Sequence, residues 1–151
     1  SRRALSLRLL SVGLVVAAAL VATPAPAATP ATKYGTQIVV KVNKIRLAHD
    51  RARLKRDRCL QRFANRHAKA MADARSMFHQ DDITVMVKCG LSSYGENVAY
   101  GMFTSKQMVD LWMTSKKGHK QNILYGGFRI TGAAARHADG VWWATQVFGR
   151  R

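Results

Sequence analysis

The stretch FRITGAAARHADGVWWATQVF, residues 128–148, decides the fold class. Asp139-Gly140 is a two-residue turn signal between two runs that read as strands, Phe128 to Arg136 and Val141 to Phe148, so the segment predicts a β-hairpin. In the second run Trp142, Ala144, Gln146 and Phe148 fall on one face, and Val141, Trp143, Thr145 and Val147 on the other. Both faces are apolar enough to need cover. An antiparallel sheet placed between helices, an α+β arrangement, is the expectation.

The helices that would supply the cover lie upstream. Between Asp57 and Phe78, Leu60, Ala64, Ala68 and Met71 recur every three or four residues, with Phe63 and His67 flanking the stripe and Arg, Lys and Asn on the other side. That is an amphipathic helix. Thr104-Ser105-Lys106-Gln107 is a capping box, in which the Thr hydroxyl and the Gln side chain satisfy free backbone N–H groups. It opens a second helix on which Met108, Leu111, Trp112 and Ser115 share a face. Ile38, Val42 and Ile45 give Gln37 to Ala48 a helical pattern, followed by an exposed basic run from Arg51 to Arg58. After His79, Asp81-Asp82 leads into an apolar stretch, Ile83 to Val87, and then Cys89-Gly90.

The amino terminus reads differently. Arg2 and Arg3 precede an apolar run from Leu9 to Ala22 that is too short to span a bilayer, and Ala25-Pro26-Ala27 resembles a cleavage site. Residues 1–27 therefore read as a secretory signal peptide, with an uncleaved anchor as the alternative, and residues 28–35 as a short flexible lead. The chain of 151 residues carries 25 Lys and Arg against 8 Asp and Glu, a net charge of +17, and 48% hydrophobic residues. That hydrophobic content suits one packed core and excludes a wholly disordered basic tail. Without residues 1–27 the balance is 22 basic against 8 acidic residues, a net of +14. Such a charge favours anionic surfaces, whether envelope polymer, lipid headgroup or nucleic acid, and the bland alternative is a solvated surface. In an oxidising compartment Cys59 and Cys89 have one possible intramolecular pairing, which would add roughly 3 to 4 kcal/mol by restricting the unfolded chain. No Cys-His signature flanks either residue to favour a catalytic thiol.

The order of several motifs resembles the CAP superfamily of cysteine-rich secretory proteins, antigen 5 and pathogenesis-related 1 proteins, in its short secreted bacterial form. The resemblance rests on Asn43-Lys44-Ile45-Arg46, Phe78-His79, Gly95-Glu96-Asn97-Val98-Ala99-Tyr100-Gly101, Trp112-Met113-Thr114-Ser115, Gly118-His119-Lys120-Gln121-Asn122-Ile123-Leu124 and Trp143 to Gly149. It spans about residues 36–149. It implies a three-layer α-β-α sandwich and a central cleft lined by two His and two acidic residues. Carried over, these positions fall on His79, Glu96, His119 and Ser115. Ser115 stands where eukaryotic relatives have Glu, which removes one carboxylate from any two-carboxylate mechanism or metal set.

By their own chemistry these residues admit several roles. Glu96, the only Glu in the chain, reads as a turn organiser accepting backbone N–H bonds or as a ligand-facing acid or base. His79 and His119, if they meet as the resemblance implies, offer Zn²⁺ two imidazoles. Two protein ligands make a weak site, and two structural imidazoles are the alternative. Ser115 precedes His119 by four residues, but no nucleophile elbow surrounds it. Asn122 reads as a helix-end organiser. His49, His67 and His137 read as solvated or helix-face residues, and the three Trp as core, one of them a candidate cleft wall.

The expectation for function is a secreted, non-catalytic binding module. Its cleft would take a small apolar ligand or a weakly held divalent metal, and its basic surface an anionic envelope polymer or lipid. The alternative is a metal-dependent hydrolase or peptidase using His79, Glu96 and His119. Specific nucleic-acid binding is not expected, since no recognised motif for it occurs.

Overall fold

The structure, a computed structural model, describes residues 27–151. The signal-peptide reading falls almost wholly on residues outside these. The first helix, α1, spans Pro30–Ala48, with Thr29 as N-cap accepting from the Thr32 N–H and Pro30 in its first turn. Residues 30–35, expected to be a flexible lead, are thus helical. The reason is local: a Thr cap followed by Pro is a strong helix start.

A two-residue strand β1 (Lys55–Arg56) leads into α2 (Arg58–Ala74), capped by Asp57. Helix α2 stops four residues before Phe78, because Arg75 turns left-handed at φ 51°. The apolar stretch at 83–87 lies in a short helix, α3 (Asp82–Cys89), capped by Asp81 and closed by Gly90 at φ 62°. Strand β2 (Ser93–Gly101) follows, then α4 (Ser105–Thr114) with the predicted capping box between Thr104 and Gln107. Helix α5 (His119–Leu124) precedes the predicted hairpin, β3 (Ile130–Ala138) and β4 (Val141–Arg150).

The sheet order is β1-β3-β4-β2. Strand β4 is central and antiparallel to both neighbours, pairing Ala144 with Ala135 on one side and with Ala99 on the other. The expected antiparallel sheet is therefore mixed, since β1 runs parallel to β3. So short a strand leaves no alternation to read. Bonds from Lys55 N–H to Arg129 O and from Asp57 N–H to Thr131 O, both 2.9 Å, hold it.

Helices α1, α4 and α5 form one layer and α2 and α3 the other, so the molecule is a three-layer α-β-α sandwich. Ile38, Val42, Met108, Trp112 and Phe148 fill the first interface, and Leu60, Ala64, Ala68 and Val147 the second. Both helices come close to β3, and two glycines permit it. A Cβ at Gly35 on α1 would lie 2.5 Å from Ala133 O, and one at Gly132 would lie 2.5 Å from the backbone of Leu60 on α2. Cys59 and Cys89 form a disulfide that ties the start of α2 to the end of α3. Among the described residues no helix is long and apolar enough to cross a membrane.

Candidate functional site

Strand β2 carries Glu96, and the carboxylate points into the α2 side of the sheet, where its side chain is 1% exposed. It is fully engaged. Oε1 accepts from His79 Nδ1 at 2.8 Å and from the Gln80 N–H at 3.2 Å; Oε2 accepts from Gln80 Nε2 at 2.5 Å and from the Thr145 hydroxyl at 3.1 Å. Four donors on one buried carboxylate leave it no free lone pair towards solvent. Glu96 thus fastens the loop after α2 to the sheet.

His79 lies on the outer end of that bond with a side chain 62% exposed. A carboxylate only accepts, so Nδ1 bears the proton, and Nε2 of the neutral ring is the basic nitrogen. His119 opens α5, and its Nδ1 lies 2.8 Å from Ser115 Oγ, just past the end of α4. The Ser115 oxygen also accepts the Lys117 N–H at 3.1 Å. Burial, then the nearby His79 and Lys117, hold the His119 pKa below the usual imidazole range. The structure therefore brings His79, Glu96, His119 and Ser115 into one neighbourhood, as two separate hydrogen-bonded pairs.

Two asparagines hold these pairs in place. Asn97 Nδ2 donates to His119 O at 3.0 Å, while Asn122 Nδ2 bridges Glu96 O and Asn97 Oδ1 at 3.2 and 3.0 Å. Asn122 so organises the helix end, joining α5 to β2.

An open cleft of about 390 Å³ runs from Ser115 and His119 past Trp112, Leu111, Val98 and Ala99 to Met77 and Tyr100. Trp112 forms part of its base, wholly buried, with Nε1–H donating to Val98 O at 3.2 Å. Tyr100 stacks on Trp143 at a centroid distance of 4.8 Å. The lining is mainly apolar, and Lys117 supplies a positive charge at the His119 end.

The donor set does not suit a resident zinc. Each histidine has one ring nitrogen committed to Glu96 or Ser115, and both Glu96 oxygens are taken. Two imidazole nitrogens remain, whereas catalytic zinc has three protein ligands. Among the described residues no three His, Cys, Asp or Glu side chains converge in a geometry for an ion.

Three participants escape the sequence reading. His67, expected as a solvated or helix-face residue, is buried beneath the site, donating Nε2–H to Phe78 O at 2.6 Å, with Glu96 Oε2 3.9 Å away. Its position beside the stripe of Leu60, Ala64 and Met71 is the available signal. Gln80 and Thr145 have none, since only the folded sheet brings them to Glu96.

The model of the cysteine-rich secretory protein family, CAP, matches residues 39–148. The chain belongs to the CAP family. An uncharacterized protein of Bacillus subtilis, YkwD, is 30% identical over 133 residues, covering 83% of this chain and 50% of its own length. The CAP chain thus spans about half of that curated relative. Among solved structures, an outer surface protein of Borrelia burgdorferi superposes with a TM-score of 0.72 at 17% identity, covering 79% of this chain and 93% of the other. An extracellular SCP-domain protein of Bacillus anthracis gives 0.69 at 24% identity, over 84% of this chain and 45% of its own. At such identities the two structures establish the CAP fold alone.

Proposed function

We propose that this CAP domain is a secreted binding module whose cleft takes a small ligand with an apolar body and an acceptor or anionic head. One observation carries the reading: the cleft is walled by Met77, Leu111, Trp112 and Tyr100, and ends at His119 and Lys117, while the Glu96 carboxylate is occupied. Apolar walls with a few polar groups at one end suit such a ligand. At neutral pH His119, with its lowered pKa, offers a hydrogen bond, and Lys117 the charge.

Secretion is supported by the apolar N-terminal run with its small-residue end, by the disulfide, and by the description of the Bacillus anthracis protein as extracellular. Mass spectrometry of the protein from culture medium should find Ala28 as its first residue; retention of residues 1–27 would refute the cleavage.

Dodecanoate is the probe for the cleft, followed by tryptophan fluorescence, because Trp112 lies at its base. Saturable binding should weaken at least about tenfold in Leu111→Asp, a loss of about 1.4 kcal/mol or more. Leu111 is 42% exposed, so the substitution should leave the fold intact. Equal binding by wild type and variant would sink the proposal.

A hydrolase is the second reading, favoured by the Glu96–His79 bond that leaves Nε2 as an oriented base. Against it, Ser115 faces His119 rather than His79, and no third metal ligand is present among the described residues. Turnover of ester or peptide substrates that disappears in His79→Ala while dodecanoate binding persists would establish it.

A further inference from the structure

Helix α2 presents a strongly basic surface on the side away from the sheet. Arg58, Arg62 and Arg66 recur every four residues, and Lys69 follows. At 100° per residue these four fall within about 80° of one another, and successive arginines stand about 6 Å apart along the axis. All four are exposed. Two acids lie on or beside the helix, and both are neutralised: Asp57 by Arg151 at 2.8 Å and Asp73 by Lys69 at 2.5 Å. Among the described residues Arg58, Arg62 and Arg66 have no acidic partner. Exposed Arg53, Lys55 and Arg56 continue the positive surface upstream.

We infer that this arginine ladder is a docking site for a linear phosphodiester polymer without bases, a polyol-phosphate of the cell envelope. Three features select that partner. A guanidinium fork binds phosphate oxygens in pairs, and forks repeating every helical turn match successive charges along an extended phosphodiester chain. A lipid surface calls for apolar side chains to bury beside the cations. Here Phe63 is covered by the Arg66 guanidinium 4.6 Å above its ring, and among the described residues the exposed large apolar side chains lie on other elements. Single-stranded nucleic acid calls for aromatic platforms on which bases stack, and the ladder has none open. The site is separate from the cleft, and the two readings stand independently.

The test is binding of polyglycerolphosphate by the oxidised protein across a salt series. The variant Arg58→Gln/Arg62→Gln/Arg66→Gln is set beside Lys44→Gln/Lys106→Gln/Lys116→Gln, which removes the same charge from other elements. The ladder variant should lose at least about tenfold in affinity, and its slope of log K against log salt should fall by about 2, as for three phosphate contacts. The control should change less than about threefold. Thermal unfolding checks that both fold, and Arg62→Gln alone, expected to lose about threefold, serves if the triple variant does not. Equal losses in ladder and control variants would overturn the proposal in favour of net charge. Tighter binding to a thymidine 20-mer, or to vesicles with 30 mol% phosphatidylglycerol, would replace the partner with nucleic acid or membrane, and absence of polymer binding would refute it.

Discussion

His79 and Glu96 form one bond across a sharp change of environment: the donor ring is largely exposed, the accepting carboxylate wholly buried, and Nδ1 and Oε1 are 2.8 Å apart. Such a bond transmits position rather than reactivity. The carboxylate is fixed by the sheet and by Gln80, and the imidazole, which would otherwise swing with its loop, is held by the carboxylate.

Glu96→Gln tests this directly. An amide in place of the carboxylate keeps the shape but sets an NH₂ against the donors of His79 and Gln80 and loses the charge-assisted component of four bonds. About 3 kcal/mol of stability should be lost, within the range for breaking a buried charged network. Urea unfolding measures it. A change below about 0.5 kcal/mol would mean that the four bonds do not anchor the loop.

The lowered pKa of His119 gives a pH dependence of known sign. Its ordinary value is 6.5, and burial, His79 and Lys117 hold it lower in the folded state. Below 6.5 the unfolded chain therefore takes up the proton more readily than the native one, and falling pH favours unfolding until the folded pKa is reached. The contribution is complete above 6.5 and lost below it. A melting-temperature series from pH 7.5 to 5 should decline, and His119→Gln should flatten the decline. An NMR titration placing the His119 ring above 6.5 would contradict the sign.

What the sequence makes legible follows the range of the interactions. The hairpin, α2 and the capped start of α4 are written in neighbouring residues: Asp139-Gly140, the stripe of Leu60, Ala64 and Met71, and Thr104 with Gln107. Strand β2 is legible only as a family motif, because its partner, β4, lies some fifty residues on and both its faces are covered. The α1 start is hidden by a composition that reads as a linker until Thr29 is recognised as its cap. At the site, the resemblance names His79, Glu96, Ser115 and His119, whereas the pairing of Glu96 with His79 and of Ser115 with His119 emerges only in three dimensions. His67 belongs inside rather than on the helix surface, and its spacing along the apolar stripe is what places it there.

Reduction should show how far the disulfide stabilises the sandwich. Cys59 and Cys89 are 30 residues apart in sequence, and closing a loop of that size restricts the unfolded chain by about 3 to 4 kcal/mol. Wild type in dithiothreitol and Cys59→Ala/Cys89→Ala should both lose about 2 to 4 kcal/mol in urea unfolding. No loss in either would mean that restricting the unfolded chain contributes little here.

Arg46 poses the severest local requirement. Its side chain is wholly buried, with Nε on Ala52 O at 2.8 Å, Nη1 on Ile123 O and Tyr125 O at 2.7 and 3.0 Å, and Nη2 on Phe128 O at 3.4 Å. Among the described residues its ion is satisfied by four carbonyl dipoles, with no carboxylate among its hydrogen-bond partners. Three of those carbonyls lie at the end of α5 and in the connection to β3, so the guanidinium closes the chain beneath the His119 helix. A lysine carries the same charge on a single nitrogen and cannot span acceptors from Ala52 to Phe128, which leaves buried carbonyls unsatisfied. Arg46→Lys should therefore cost about 2 to 4 kcal/mol despite conserving charge, and amide exchange should quicken first in residues 123–128. Wild-type stability for Arg46→Lys would mean that charge alone, rather than the planar fork, holds this connection.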